Sequence, residues 1–233
     1  MKITYIEHSG FLVELSDCYL IFDYYKGRLK GLAEKKPVLV FASHSHKDHY
    51  EPAVFSLLKE RGFLAEDIHA YLSKDIYEKK IPSDIKYTHL KRRAHYELPF
   101  GIVLDTLRST DQGVAFLLHT KEGVLYHAGD LNDWVWKEDS KADRNNMTAR
   151  YRQEIDLLKT MTGRIDAAFV PLDPRQREDY DRGMLYFLET IPVKKVFPMH
   201  YWHKASIIGR FCTEHPEYAG LICDTENTLQ LLV

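Results

Sequence analysis

Residues 38–49 read Val38-Leu-Val-Phe-Ala42-Ser43-His44-Ser45-His46-Lys47-Asp48-His49. The first five, after Pro37, are a continuous apolar run of the kind expected of a strand buried on both faces. Three imidazoles and a carboxylate follow at once. In an extended loop, alternation sends His44 and His46 to one side and leaves Asp48 and His49 free to turn toward a neighbouring point. One loop can then feed two adjacent nitrogen and oxygen metal sites. The competing explanation is a histidine-rich surface loop, or core histidines satisfied by hydrogen bonds. Position straight after a buried strand, together with two more segments, weighs against it.

Working outward, the first 25 residues predict a meander of strands at Ile3–Ile6, Phe11–Leu15 and Tyr19–Phe22, punctuated by Ser9-Gly10 and Ser16-Asp17. A helix is expected over Pro52–Arg61 and a short strand at His69–Leu72. A second strand-rich block covers Gly101–Leu107, Gly113–Leu118 and Gly123–His127, with Lys121-Glu-Gly123 as a tight hairpin turn. The final third alternates helices near Met147–Met161, Arg182–Thr190 and Ala205–Phe211 with strands at Ala167–Val170 and Lys195–Phe197. The charged stretch Lys137–Asn146 reads as a surface loop. Strands then helices, repeated once, predict an α/β fold: a four-layer αββα sandwich of two mixed sheets with outer helices, in one domain over residues 1–233. Loops from both halves meet along one sheet edge in such a fold, so a site can be assembled there from distant segments.

Two such segments are present. Leu125-Tyr-His127-Ala-Gly129-Asp130 is a strand ending in a glycine turn that exposes one carboxylate, and Val196-Phe-Pro-Met-His200 is a strand running straight into a histidine. Alone, Asp130 is as readily a turn residue accepting backbone N–H bonds, and a lone strand-end histidine means little. Joined to residues 44–49 they give a metal ligand set of His44, His46, Asp48, His49, Asp130 and His200, with Asp130 able to bridge two ions. Neutral imidazole and carboxylate suit one or two divalent ions, zinc first, with manganese or iron compatible. His127 is expected to be packed behind the ligands.

These motifs resemble the metallo-β-lactamase superfamily, whose His-x-His-x-Asp-His loop matches residues 44–49, while Gly129-Asp130 and His200 match its later motifs. Glu7-His8-Ser9-Gly10-Phe11 and Phe22-Asp23 are similar to the branch that includes ascorbate-6-phosphate lactonase and related hydrolases. The resemblance implies the same sandwich fold, an orienting or substrate-facing His8, and an Asp23 hydrogen-bonded to a ligand histidine. It also exposes a departure. The family usually supplies another histidine between the first loop and Gly-Asp, and this chain has Ser109-Thr110-Asp111 there. With Thr110 at the expected position, the sequence predicts an intact site at Asp48, His49, Asp130 and His200 and an incomplete one at His44 and His46.

The function expected is hydrolysis of an ester, lactone or phosphodiester by a metal-bound water or hydroxide, with Asp48 orienting the water or taking its proton. The alternatives are non-haem iron redox or sulfur chemistry on the same scaffold, and a non-catalytic domain that binds a small anion. The substrate is expected to be a small molecule, with an anionic one compatible through Arg175, although a salt bridge to Asp173 is the simpler reading of that arginine. Trp134, Trp136, Tyr201 and Trp202 are candidates for the pocket wall, with ordinary packing as the plainer alternative. Net charge is −2 with the basic residues dispersed, which argues against nucleic acid. No apolar run approaches the ~20 residues that cross a bilayer. Three separated cysteines and the absence of leader composition at Met1–Tyr5 predict a cytoplasmic protein with reduced thiols.

Overall fold

The computed structural model describes residues 1–225 and the backbone of residues 231–232. The chain opens with β1 (Lys2–Glu7), β2 (Gly10–Glu14), β3 (Tyr19–Phe22), β4 (Val38–Ala42), α1 (Ala53–Glu60), β5 (Ile68–Ser73) and β6 (Lys86–Leu90). It continues with β7 (His95–Leu98), β8 (Ile102–Arg108), β9 (Val114–Thr120), β10 (Gly123–His127), α2 (Lys141–Met161), β11 (Ile165–Pro171), α3 (Arg182–Thr190), β12 (Val193–Met199), α4 (Ser206–Glu214) and β13 (Leu231–Leu232). Two sheets result, in the orders β13-β1-β2-β3-β4-β5-β6 and β12-β11-β10-β9-β8-β7. Both are mixed: β1 to β3 pair antiparallel and β3 to β6 parallel, while β7 to β10 pair antiparallel and β10 to β12 parallel. This is the αββα sandwich the sequence predicts.

The continuous apolar runs have a direct explanation. Phe11, Val13, Leu20, Phe22, Leu39 and Phe41 point into the core shared with Phe116, Leu118 and Phe169 of the second sheet. Their neighbours Leu12, Ile21 and Val40 point the other way, onto Val54, Phe55 and Leu58 of α1. Period-2 alternation thus distributes one strand between two cores. On the outer side of the second sheet, Tyr151 of α2 is buried and donates its hydroxyl to the Gly183 carbonyl at the start of α3, at 2.7 Å.

The helix and loop bounds near residue 140 are corrected, and two strands are added. Helix α2 starts at Lys141 instead of near Met147, so the charged segment is loop only as far as Ser140, whose hydroxyl accepts from the Asp143 amide at 3.2 Å. That cap was readable, but α2 buries only Tyr151, Glu154, Ile155 and Leu158, so its first turns carry no apolar period. Strands β6 and β7 were not foreseen because their sequences, Lys-Tyr-Thr-His-Leu and His-Tyr-Glu-Leu, sit at sheet edges, largely uncovered, and lack apolar runs. The basic turn between them is paired off: Arg93 bonds Glu154 and His95 bonds Asp105.

The parallel strands β3, β4, β10, β11 and β12 place their carboxyl ends at one rim, where open α/β sheets bind ligands. Gly113, opening β9, presses on the histidine loop there: a Cβ would stand 1.9 Å from the Ser43 carbonyl oxygen, and φ is +74°. A methyl group adds both a clash and left-handed backbone strain. Gly113→Ala is therefore expected to cost about 2–4 kcal/mol of stability in denaturant unfolding. A variant within 0.5 kcal/mol of wild type, by the ~0.5 kcal/mol that ordinary surface changes cost, would mean that the loop gives way freely.

Candidate metal centre

Asp130, on the turn after β10, is the hub at this rim. Its Oδ1 lies 3.2 Å from His49 Nε2 and 3.4 Å from His200 Nε2, and its Oδ2 lies 3.5 Å from His44 Nε2. His44 Nε2 is in turn 3.0 Å from His46 Nδ1. Around this carboxylate the potential ligand atoms fall into two groups, His44, His46, Asp111 and Asp130 on one side, and His8, Asp48, His49 and His200 on the other. Within each group the atoms lie inside 4.8 Å of one another, close enough to share an ion.

The imidazoles are held by carboxylates behind them. Asp23, at the end of β3, accepts from the Ser43 amide at 2.7 Å, the Ser43 hydroxyl at 2.6 Å and His49 Nδ1 at 2.7 Å. Asp173, after β11, accepts from His200 Nδ1 at 3.0 Å. Each contact fixes the ring so that Nε2 faces Asp130, the carboxylate–histidine arrangement found behind metal ligands. Asp75 fastens the same loop by accepting from the Ser45 amide at 2.8 Å. His8, Asp23 and His200 all have positive φ, of 56°, 40° and 64°. Such backbone is costly for residues other than glycine and collects at functional sites.

Electrostatics are strongly coupled. Burial acts to raise the Asp130 carboxyl, but the facing His49 and His200 outweigh it and hold it well below the usual range. Burial acts to lower His49, but Asp130 and Asp23 on its two sides hold it well above. Burial pushes both His8 and His44 down to about 4, so both are neutral at pH 7. Metal binds neutral imidazole and ionised carboxylate, so His8, His44 and Asp130 already stand in the binding form, while His49 would give up a proton to an ion.

Every ligand proposed from sequence reaches this place. Two further residues join. His8 lies on the β1–β2 turn, its Nε2 3.5 Å from Asp48 Oδ2, and so is within ligating reach instead of merely behind the loop. Asp111 has Oδ2 3.9 Å from His46 Nδ1 and brings a carboxylate to the group expected to be incomplete. Thr110 is not the vacancy: its hydroxyl donates to the Asn132 carbonyl at 2.6 Å and accepts from the Asn132 amide at 3.0 Å. Asp111, already visible beside Thr110, was the signal for a carboxylate here. His127 is packed as expected, accepting from the Gly129 amide at 3.1 Å, placed 2.9 Å from the Ser9 carbonyl and stacked on Phe22.

Among the described residues seven buried side-chain atoms lack a well-formed hydrogen bond, and three of them are here: His8 Nε2, His49 Nε2 and Asp130 Oδ1. Orphaned polar atoms are expensive, and these three belong to the two ligand groups. A divalent ion satisfies such lone pairs, so the residues present fit one. In front lies a cavity of ≈ 370 Å³ walled by Trp134, Trp136, Met147 and Trp202. Tyr201 is not in the wall; it is buried, stacked on Tyr5 with its hydroxyl 3.0 Å from Thr225 Oγ1.

An αββα sandwich with two histidine and carboxylate groups at its strand ends defines a metalloenzyme of the metallo-β-lactamase type. The family described as the beta-lactamase superfamily domain matches residues 2–145. The chain belongs to this superfamily, as a metal-dependent hydrolase. It is 25% identical over 213 residues to a protein of Pyrobaculum calidifontis named a metal-dependent hydrolase, covering 86% of this chain and 84% of that one. Its fold is similar to that of Igni18, a metallo hydrolase of Ignicoccus hospitalis, with TM-score 0.69, 18% identity and coverage of 100% of this chain and 98% of that one. It is also similar to YhfI of Bacillus subtilis, a metallo-beta-lactamase fold protein, with TM-score 0.61, 13% identity and coverage of 91% and 92%.

Proposed function

We propose that this hydrolase cleaves an ester, lactone or phosphodiester bond of a small molecule, at a centre where Asp130 and the histidines around it would hold one or two divalent ions. His44, His46 and Asp111 complete one set of ligands, and Asp48, His49 and His200, with His8 beside them, complete the other. Zinc is the first choice for these donors, with manganese and iron compatible. The Nε2 atoms of His44, His49 and His200 turned to one buried carboxylate, with His49 Nε2 and Asp130 Oδ1 lacking well-formed hydrogen bonds, carry the proposal. Bound ions supply Lewis acidity and an activated water.

The chain's own residues do the rest. Asp48 is a quarter exposed at the cavity, its Oδ2 3.5 Å from His8 Nε2, and from its place in the ligand set it would orient the reacting water. Asp173 keeps His200 in the tautomer whose Nε2 faces Asp130. Trp134 and Trp202 exclude bulk water from the reacting bond, which strengthens every electrostatic contact inside. Among the described residues no helix is long and apolar enough to cross a membrane. Cys18, Cys212 and Cys223 are free, which supports a reducing, cytoplasmic setting.

The test is hydrolysis of an aryl ester, a γ-lactone and a bis-aryl phosphodiester before chelation, after it, and after adding back zinc, manganese or ferrous iron. At least one substrate should turn over, stop on chelation and recover with metal. Undiminished turnover by metal-free protein would overturn the proposal. A second reading rests on Asp111: two histidines with a carboxylate also suit oxygen-activating iron. Iron in the purified protein together with oxygen uptake would favour it.

A further inference from the structure

Arg175 is the only lysine or arginine among the residues lining the cavity, and its placement is unusual. Its Nε lies 3.0 and 2.9 Å from the two Asp173 oxygens and its Nη2 2.5 Å from Oδ2, so the side-on edge of the guanidinium is taken. Asp173 is fully buried and also receives the Arg175 amide at 2.8 Å and His200 Nδ1 at 3.0 Å. A guanidinium carries five donors, and one side-on pair leaves its end-on edge, Nη1 with the outer proton of Nη2, without a partner among the described residues. The side chain is 46% exposed.

Two aromatic rings stand beside the guanidinium. The guanidinium carbon lies 4.6 Å from the Trp202 ring centre and 5.8 Å from that of Trp136. An arginine already held by a buried carboxylate loses little freedom when it binds a planar anion. The wall itself points the same way. All three tryptophans of the chain, Trp134, Trp136 and Trp202, line this one cavity. Trp134 and Trp136 lie nearly parallel, at 6° and 6.0 Å between centres. A concave apolar wall with one convergent cation beside a metal centre is the form of a small-molecule site.

We propose that Arg175 is a specificity residue: its end-on edge takes a carboxylate or phosphate group of the substrate, and the tryptophan wall holds an apolar portion of the same molecule beside the metal ligands. The preferred class is then an amphiphilic anion with the scissile bond between its two parts. This deepens the hydrolase reading and rests on it for the word substrate. Recognition of the anion does not depend on turnover.

Because every tryptophan lines the cavity, indole emission reports occupancy directly. Metal-loaded protein is titrated with phenylacetate, phenylphosphonate and the neutral benzyl alcohol, and the series is repeated with Arg175→Gln and Arg175→Lys, with metal content measured for each. Wild type should bind at least one of the anions about 10-fold or more tighter than the alcohol, the expected worth of a charge-assisted bidentate pair. Arg175→Gln should lose that preference, and Arg175→Lys should lose several-fold because it keeps the charge without the edge. The phosphonate and carboxylate arms identify which oxyanion is preferred. Since Arg175 braces Asp173, the glutamine variant can lose metal; the lysine variant then decides. Equal anion affinity in wild type and a metal-replete variant, or no preference over the alcohol in wild type, would overturn the proposal. Anion preference without hydrolysis of any ester would instead leave it standing and remove the hydrolase reading.

Discussion

Asp130→Asn is expected to yield a folded protein that has lost its metal and shows no hydrolysis above background. The carboxylate is the point on which His44, His49 and His200 converge, at 3.2 to 3.5 Å. An amide of nearly the same shape removes the negative charge and can turn N–H donors toward the ion. Removing one partner of a buried charged cluster costs about 3–5 kcal/mol, which lowers metal affinity by about a hundredfold to ten-thousandfold. The fold should survive, because the other contacts of Asp130 use its backbone: Trp134 Nε1 donates to its carbonyl at 2.8 Å. Elemental analysis gives the metal content and near-ultraviolet circular dichroism reports the tryptophan packing. Full metal content in a folded variant would remove Asp130 from the centre.

Asp111→Ala is expected to lower bound metal by one ion per chain while leaving the ion held by Asp48, His49 and His200. Asp111 groups with His44 and His46 and not with those residues, and the Asp111 and His46 side chains are each about half exposed, at 49% and 48%. Little else in the structure depends on the Asp111 carboxylate, so the loss should be local. Asp111→His should keep the second ion, since imidazole is a good ligand at that place. Thr110→His should not add one. It breaks the paired hydroxyl contacts with Asn132 and is expected to cost about 1–3 kcal/mol of stability. Retention of both ions by Asp111→Ala, or a gain of metal by Thr110→His, would reverse the assignment made from the geometry.

These variants mark where reading the chain as a string stops. The spacing from His44 to His49, the glycine before Asp130 and the strand before His200 were legible because each is a short-range pattern: an apolar strand delivers the next polar residue to the rim. His8 and Asp111 were harder. Each sits on a turn between antiparallel strands, where one residue of register decides whether a side chain enters the site or the core. Thr110 and Asp111 show this in one step, the first bonded inward to Asn132 and the second facing His46.

The sequence by itself determined the layering, most of the strands and helices, and six candidate ligands, because hydrophobic period and motif spacing are local properties of the chain. Only the tertiary structure decided which candidate ligands stand together, which carboxylates stand behind His49 and His200, and that Arg175 lies beside two tryptophans. Those are distances between segments separated by tens of residues along the chain, set by sheet register and by glycines such as Gly113 that let the loops touch. Nothing in local pattern encodes them.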